Sequence, residues 1–260
     1  MSEFNESNVL EIAEMLKTAT ENVERVYAAG HSEGMKSEYD AFWDKLQSNG
    51  LRMSYNATFG GGWTEDNFKP KYDLIVWSAI YMFGWNEMNV DLVEYMENLG
   101  KKLDFTNCLN PNGAFQGSKF TRVGKIYGRA WYNTFQDCKN LVTIDEWGAI
   151  NETDKLQDGL HSCFTGCTAL ENIKVRGIIN WNVSFKDSTK LTRESIESIV
   201  NHLSDEQTGA TLTLSEAAVD TAFSGGISAP DPSTTTENGS ATVDWFDLYM
   251  SKPNWTITLV

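Results

Sequence analysis

Apolar residues recur at a fixed spacing in the middle of the chain. In the segments that begin at Asn133 and at Ser162, a Phe is followed at three-residue steps by Cys, Leu and Ile. Two weaker copies, around Phe115 and Phe185, have Ser where the others have Cys. Successive Phe positions lie roughly 20 to 30 residues apart, which is typical of repeat proteins whose units bury their apolar faces against one another. The predicted repeat core comprises Phe115, Phe135, Cys138, Leu141, Ile144, Phe164, Cys167, Leu170, Ile173, Phe185 and Leu191.

The residues between these apolar positions, mainly Gly, Asn, Asp and Thr, favour tight turns. Each unit is therefore predicted to be a bent loop or a short helical turn that leads into a short strand, with the strands stacked as one narrow parallel sheet. Strands are predicted at DLIVW, LVTI, ENIKV, TLTL and NWTITLV. Helices are predicted after the N-cap residue Thr192, at AAVDTAF and at WFDLYM.

A second apolar pattern lies near the start of the chain. Its positions alternate in steps of three and four residues, which is the spacing of a coiled-coil seam. We expect residues 1–50 to form a helical segment for anchoring or oligomerisation. Self-association and docking of this helix on its own domain or on a larger assembly both remain open. The predicted seam comprises Val9, Ile12, Leu16, Ala19, Val23 and Val26.

Charge and composition exclude several partner classes. The chain has 36 acidic and 21 basic residues, a formal net charge of −15 at pH 7, and 41% hydrophobic residues, enough to bury a core. A field of this sign repels phosphate backbones and anionic lipids, so we expect neither nucleic acid nor a membrane as partner. No apolar stretch approaches about 18 residues, and acids stand where a signal peptide needs cations. We therefore expect neither a membrane-spanning helix nor export by a signal peptide.

The pattern Phe-x-x-Cys-x-x-Leu-x-x-Ile resembles the repeat of BspA-like leucine-rich repeat proteins. The segments EYDAFWDKLQSNG and GWTEDNFKPKYD, and the ending KPNWTITLV, are similar to members of that family encoded by phages and prophages of gut Firmicutes. The resemblance implies adhesion and protein contacts. The fold class expected is α+β, a short BspA-like leucine-rich-repeat solenoid with N-terminal helices and a C-terminal α/β cap. Its domain would span residues 51–260, with repeats at 114–191 and a cap at 192–260 that contains a loop at 224–242.

No motif in the sequence indicates catalysis, a cofactor or a metal. Cys163, Cys167 and His161 could suggest zinc, but Cys138 and Cys167 occupy the same slot of the repeat, where a buried thiol acts as a small apolar group. His31 and His202 lie in no recognisable motif. The adjacent carboxylates of Asp145 and Glu146 are not expected to form a glycosidase pair, because neighbouring residues on a strand point to opposite faces.

Several aromatic residues could instead form a sugar-binding surface, because aromatic faces stack against carbohydrate rings, although such residues more often belong to a core. These candidates are Trp77, Tyr81, Phe83, Trp85, Trp131 and Tyr132.

The function expected is that of a non-enzymatic structural protein of a phage or prophage particle, located in the virion, that serves host attachment or virion assembly. Its partners would be virion proteins, or a second copy through the N-terminal helix, and a host-surface glycan or protein. The alternatives are a bacterial cell-surface adhesin and a glycan-cleaving tail enzyme.

Overall fold

The computed structural model describes residues 53–56, 64–66, 68–70, 73–156, 159–206, 208–223 and 244–260, with the backbone alone for 53–56 and 77. Nearly all of these residues belong to one compact unit, Arg52–Lys69 with Asp73–Val260. The predicted N-terminal segment 1–50, with its seam from Val9 to Val26, lies outside the described residues. The predicted loop 224–242 also lies outside them.

The strands are short, and every pairing among them is parallel. The strands predicted at DLIVW, ENIKV, TLTL and NWTITLV are confirmed, whereas the one predicted at LVTI begins only at Thr143. In chain order the strands are β1 (Met53–Asn56), β2 (Leu74–Ile80), β3 (Leu103–Asp104), β4 (Arg122–Tyr127), β5 (Thr143–Gly148), β6 (Lys155–Leu156), β7 (Asn172–Arg176), β8 (Ile178–Ile179), β9 (Val183–Phe185), β10 (Ala210–Leu214) and β11 (Trp255–Leu259).

The helices are also short and begin at polar caps or turns. The helices are α1 (Leu92–Asn98), α2 (Leu160–Cys163), α3 (Arg193–Asn201), α4 (Glu216–Ala222) and α5 (Trp245–Met250). Asp91 caps α1 by accepting hydrogen bonds from the backbone N–H groups of Val93 and Glu94 at 2.9 and 3.0 Å. The predicted cap Thr192 is confirmed, since its hydroxyl accepts from the N–H of Ser195. The three predicted C-terminal helices are present as α3, α4 and α5.

The described strands form four small sheets. Three sheets have three strands, in the orders β1-β2-β3, β4-β5-β7 and β11-β10-β9, and β6 and β8 form a fourth. The expectation of one narrow sheet is therefore wrong, because β6 pairs with β8 instead of joining the neighbouring pair of β5 and β7.

The expected fold class is also wrong. Because parallel strands must be joined by crossover connections, turns and short helices alternate with strands along the chain instead of being segregated from them. The molecule is accordingly a mixed α/β fold with several small parallel sheets. It is not an α+β protein with a BspA-like leucine-rich-repeat solenoid and a separate α/β cap.

The centre of the core is a column of Phe rings, one from each successive turn. Phe115, Phe135 and Phe164 stack with ring centroids 5.4 and 5.6 Å apart and planes within 10° of parallel. Phe185 continues the column at 4.4 Å, and Phe83 begins it at 5.7 Å from Phe115. These spacings are close to the separation of neighbouring strands, about 4.8 Å, so each ring belongs to one layer of backbone.

All residues of the predicted repeat core are buried. In three of these turns, the side chain three residues after the Phe donates a hydrogen bond to a backbone carbonyl of the neighbouring turn. The Cys138 thiol donates to the Phe115 carbonyl at 2.8 Å, and the Cys167 thiol donates to the Phe135 carbonyl at 3.0 Å. The Ser188 hydroxyl donates to the backbone carbonyl of Cys167 at 3.1 Å. This position therefore satisfies buried carbonyl groups between layers, which explains why Ser can replace Cys there.

Candidate functional site

Two aromatic residues, the half-buried Tyr81 and the exposed Trp85, flank Phe83 in the turn after β2. Tyr81 and Trp85 both have left-handed backbone angles, with φ of 52° and 53°. The same two positions of the next turn are Gly113 and Gly117, with φ of 62° and 66°. Left-handed residues other than Gly and Asn are uncommon and carry backbone strain, so two bulky aromatic residues at these positions are a notable local feature.

Successive turns are joined by hydrogen bonds along the backbone. The N–H groups of Tyr81 and Trp85 donate to the carbonyls of Asn112 and Gln116 at 3.0 and 2.6 Å. Gly113 in turn donates to the carbonyl of Tyr132 at 2.8 Å. The backbone that carries both rings is therefore held to the layer beneath it.

The side chains of Tyr81 and Trp85 form what we call the aromatic platform. Their ring centroids are 5.8 Å apart and their planes differ by 21°. A Cβ atom on Gly113 or Gly117 would come within 3.0 Å of the Tyr81 and Trp85 rings, respectively. Because only glycine leaves this space free, the rings lie directly on the next turn, and 51% of Trp85 remains exposed.

A third ring lies two turns further along. Tyr132 is 42% exposed, and its ring packs against Gly159, where a Cβ would approach Tyr132 Cγ to 2.8 Å. Of the other aromatic residues named from the sequence, Phe83 and Trp131 are fully buried, and the side chain of Trp77 lies outside the described atoms. Three of the candidate sugar-binding residues are thus wholly or partly exposed, and two belong to the core.

A pair of amides lies in the two turns that follow the platform along the chain. The side-chain nitrogen of Gln116 donates to the side-chain oxygen of Gln136 at 3.2 Å. This bond uses one donor of Gln116 and one acceptor site of Gln136, so both amides retain further hydrogen-bonding capacity. Beyond them, Lys119 forms an ion pair with Glu87. The surroundings of the platform are polar, and this neighbouring pair of charges is balanced.

The outward face of the sheet β4-β5-β7 is a second polar region, with both carboxylates of Asp145 and Glu146 on it. The expectation that these neighbours point to opposite faces is wrong, because the register between β5 and β7 shifts between Ile144 and Trp147. The side chains of Ile144 and Trp147 on either side of the bulge are buried. The carboxylates between them point outward, where Asp145 meets Arg122 and Glu146 meets Lys125.

Both carboxylates are already engaged. Arg122 forms a bidentate salt bridge with Asp145, in which Nε donates to Oδ1 at 2.7 Å and Nη2 donates to Oδ2 at 2.9 Å. This salt bridge raises the pKa of the guanidinium. Burial alone would raise the pKa of Glu146, but the hydrogen bond from Tyr127 and the charges of Lys125 and Lys174 outweigh burial and lower it. A general acid in glycoside cleavage needs a raised pKa, so Glu146 is unsuited to that role.

A cavity of about 310 Å³ lies beside this sheet face, next to α1. Leu92, Met96 and Phe105 supply apolar lining, whereas Asp104 and Asp145 contribute charges that are paired with Lys102 and Arg122. The exposed residue Glu97 of α1 also lines the cavity.

The cysteines are structural. Burial raises the pKa of Cys108 and Cys138 to about 12, and it raises the pKa of Cys163 and Cys167 well above their ordinary range. Neutral, buried thiols are poor nucleophiles and poor metal ligands.

Within the described chain, His, Cys, Asp and Glu side chains nowhere gather in a group of three that could hold a metal ion. His161 is exposed and His202 contacts the Ser198 carbonyl at 2.7 Å, whereas His31 lies outside the described residues.

Sequence reasoning missed that Phe83 belongs to the ring column. Its turn has Asn86 where the other copies have Cys or Ser, and Asn86 is fully buried, donating to the Phe83 carbonyl at 2.8 Å. The local sequence hides this copy. Turn-forming residues stand two positions before and after Phe in GAFQG and NTFQD, whereas Tyr81 and Trp85, which are not turn formers, occupy these positions around Phe83.

No protein-family model, curated protein or solved structure matches this chain. None of the helices in the described ranges combines the length and the apolar character that crossing a lipid bilayer requires.

Proposed function

We propose that this chain is a non-enzymatic structural protein of a phage or prophage particle, and that its aromatic platform contacts the host surface or a neighbouring virion protein. The observation that carries the proposal is the exposure of Trp85, at 51%, on a backbone and a ring that the next turn holds in place. A side chain that is already ordered loses little conformational entropy when a partner covers it, and large aromatic residues dominate binding interfaces.

The state of the acidic groups supports binding over catalysis. Asp145 is paired with Arg122, and Glu146 is surrounded by Tyr127, Lys125 and Lys174. The hydrogen bond from Tyr127 and the nearby cations outweigh burial and lower the pKa of Glu146, which keeps this carboxylate ionised near neutral pH.

The assignment to a particle is supported by the resemblance of both flanks to phage-encoded and prophage-encoded proteins. In this proposal the segment 1–50 binds virion proteins or a second copy, and the compact unit faces outward. The rigid turns between the strands then present the platform to its partner.

Mass spectrometry of purified particles tests the proposal. Particles released from the host are banded on a density gradient and compared with the same gradient fraction from a strain that lacks this gene. We expect the chain in the particle fraction, in constant ratio to the major virion proteins. Its confinement to the soluble lysate, or its recovery from the surface of intact cells as an adhesin would be, contradicts the proposal.

The role of the platform is tested on particles that carry single substitutions. Trp85→Ala is expected to slow adsorption to host cells or to reduce incorporation into particles. Trp181→Ala is the matched control, because Trp181 is also 51% exposed. Equal behaviour of the two variants would exclude the platform as the contact site, and release of reducing ends from host polysaccharide would contradict the non-enzymatic assignment.

A further inference from the structure

We propose that the aromatic platform is a binding site for a neutral pyranose sugar, and that Tyr132 contacts another ring of the same oligosaccharide. This inference deepens the proposed attachment function and rests on it for its biological setting. The site itself is argued from ring geometry, polar neighbours, charge and spacing.

The geometry of the platform matches the flat face of a sugar ring. The Tyr81 and Trp85 rings are stacked, with their planes 21° apart and their centroids 5.8 Å apart, so Tyr81 supports the ring of Trp85. The glycines of the next turn lie against both rings, and about half of the Trp85 surface, 51%, remains exposed to a ligand. The C–H groups on one face of a pyranose can pack against such an aromatic surface, whose face carries the negative part of its quadrupole.

The border of the platform matches the rim of a sugar ring. A pyranose has an apolar face and hydroxyl groups around its edge, so a binding site needs donors and acceptors beside the aromatic surface. The amides of Gln116 and Gln136 provide both, and their mutual hydrogen bond at 3.2 Å orients them. The backbone of Trp85 is held next to that of Gln116, because the Trp85 N–H donates to the Gln116 carbonyl at 2.6 Å.

Charge favours a neutral ligand over an acidic one. The nearby cation Lys119 is already paired with Glu87. The chain as a whole has a net charge of −15, and a field of that sign repels uronate, phosphate and sulfate groups. An acidic polysaccharide therefore gains no electrostatic attraction at this site.

The position of Tyr132 indicates more than one sugar ring. The backbone N–H of Tyr81 donates to the carbonyl of Asn112 in the next turn. In that turn, the N–H of Gly113 donates to the carbonyl of Tyr132, which lies in the turn after it. Two layer spacings amount to about 10 Å, which is comparable to one disaccharide unit of an extended β-linked chain. The exposed ring of Tyr132 can therefore contact the oligosaccharide one disaccharide away from the platform.

Calorimetric titration of the purified full-length chain tests the site. The probes are β-linked hexasaccharides of glucose and of N-acetylglucosamine, the corresponding disaccharides, and an acidic hexasaccharide of hyaluronate. We expect at least one neutral hexasaccharide to bind and the hyaluronate to bind at least tenfold more weakly. No binding of either neutral hexasaccharide at millimolar concentration, or tighter binding of hyaluronate, would overturn the proposal.

Substitutions then assign the binding to named rings. Trp85→Ala is expected to weaken the affinity about tenfold or more, since loss of a stacking contact together with its buried area exceeds about 1.4 kcal/mol. Trp85→Phe should recover part of this loss, and Trp181→Ala should leave the affinity unchanged. Equal losses in Trp85→Ala and Trp181→Ala, or no loss in Trp85→Ala, would contradict the assignment.

Tyr132→Ala separates the two parts of the site. It is expected to weaken hexasaccharide binding several-fold while leaving the weaker disaccharide binding at the platform unchanged. Circular dichroism of each variant verifies that the fold is retained. An unchanged hexasaccharide affinity would remove Tyr132 from the site.

The two proposals can fail separately. Sugar binding is measured on the isolated chain, whereas presence in particles is measured without any sugar. A chain that binds the neutral hexasaccharide but is absent from particles keeps the sugar site and loses the virion role. A chain that is found in particles but binds none of the neutral sugars keeps the virion role and loses the sugar site.

Discussion

The column of Phe rings and the aromatic platform are built from the same turns but lie in opposite environments. Phe83 is fully buried, and two residues on either side of it stand Tyr81 and Trp85, the latter 51% exposed. Both sets of rings are stacked, at 5.7 Å for Phe83 on Phe115 and at 5.8 Å for Tyr81 on Trp85. Aromatic content therefore does not determine which rings stabilise the fold and which are available to a partner.

The backbone angle at each residue accounts for the difference. Tyr81 and Trp85 have φ near +50°, in the left-handed region. In the following turn glycine occupies both positions and provides the space in which the rings lie. The buried column stabilises the protein by removing apolar area from water, whereas the platform carries backbone strain and leaves apolar area exposed.

The largest expected effect comes from the column. Phe135→Ala removes a ring that stacks on both Phe115 and Phe164 and leaves a cavity in the core. We expect the free energy of unfolding to fall by about 3–5 kcal/mol, measured by urea denaturation. Phe135→Leu, which retains most of the volume, should lose clearly less. A loss below about 1 kcal/mol for Phe135→Ala would show that the column contributes little to stability.

The thiols beside the column give the next largest effect, and it depends on pH. The ordinary pKa of a Cys thiol is 9.0, and burial raises that of Cys138 to about 12. Above pH 9 the unfolded chain releases this proton while the folded chain keeps it, so the free energy of unfolding falls as the pH rises from 9 towards 12. Midway between the two pKa values, one thiol accounts for roughly 2 kcal/mol.

Cys138→Ser is the variant that tests this titration. A hydroxyl can donate to the Phe115 carbonyl, as the Ser188 hydroxyl does to the Cys167 carbonyl, but it does not ionise in this range. We expect the difference in unfolding free energy between wild type and Cys138→Ser to change in favour of the variant between pH 8 and pH 10.5. A constant difference across this range would show that the thiol proton is not involved.

A smaller effect is expected where the platform rests on glycine. Gly117→Ala places a methyl group 2.7 Å from Trp85 Cδ1 at a residue with φ of +66°. The left-handed angle alone costs about 1–2 kcal/mol for a residue with a side chain. Gly100→Ala is the matched control, because Gly100 has φ of +63° but no atom lies within 4 Å of the place its methyl group would take. Gly117→Ala should be the more destabilising of the two, and equal losses would mean that the ring moves aside freely.

The smallest expected effect on stability is that of Trp85→Ala. The side chain is half exposed and its loss opens no cavity in the core, so the free energy of unfolding should change by no more than about 0.5 kcal/mol. The measurement is the same urea titration as for Phe135→Ala. A loss of several kcal/mol would make Trp85 a structural residue and weaken the case for a binding site.

Local sequence patterns predicted most of the elements in the second half of the chain. Alternation of apolar and polar residues located β10 and β11, and the Thr192 cap with its apolar stripe located α3. The repeat of Phe, Cys and Leu predicted residues that the structure places in the core. These signals are local, because each depends on residues within a few positions of one another.

The architecture and the candidate site required long-range information. The separation of β6 and β8 from the sheet of β4, β5 and β7 depends on which strands pair, and no local pattern specifies that choice. Asp145 and Glu146 reached the same face through a bulge defined by the partner strand. Likewise, the exposure of Trp85 depends on a glycine that lies in the next turn.

By itself, the sequence determined the positions of β2, β5, β7, β10 and β11 and of the last three helices, the residues of the repeat core, the acidic net charge and the apolar use of the repeat cysteines. The tertiary structure alone decided the division into small parallel sheets, the inclusion of Phe83 in the ring column and the pairing of Tyr81 with Trp85 on the surface. The physical reason is that burial and strand pairing are properties of contacts between distant segments. Residue type sets only how favourable each contact is once it has formed.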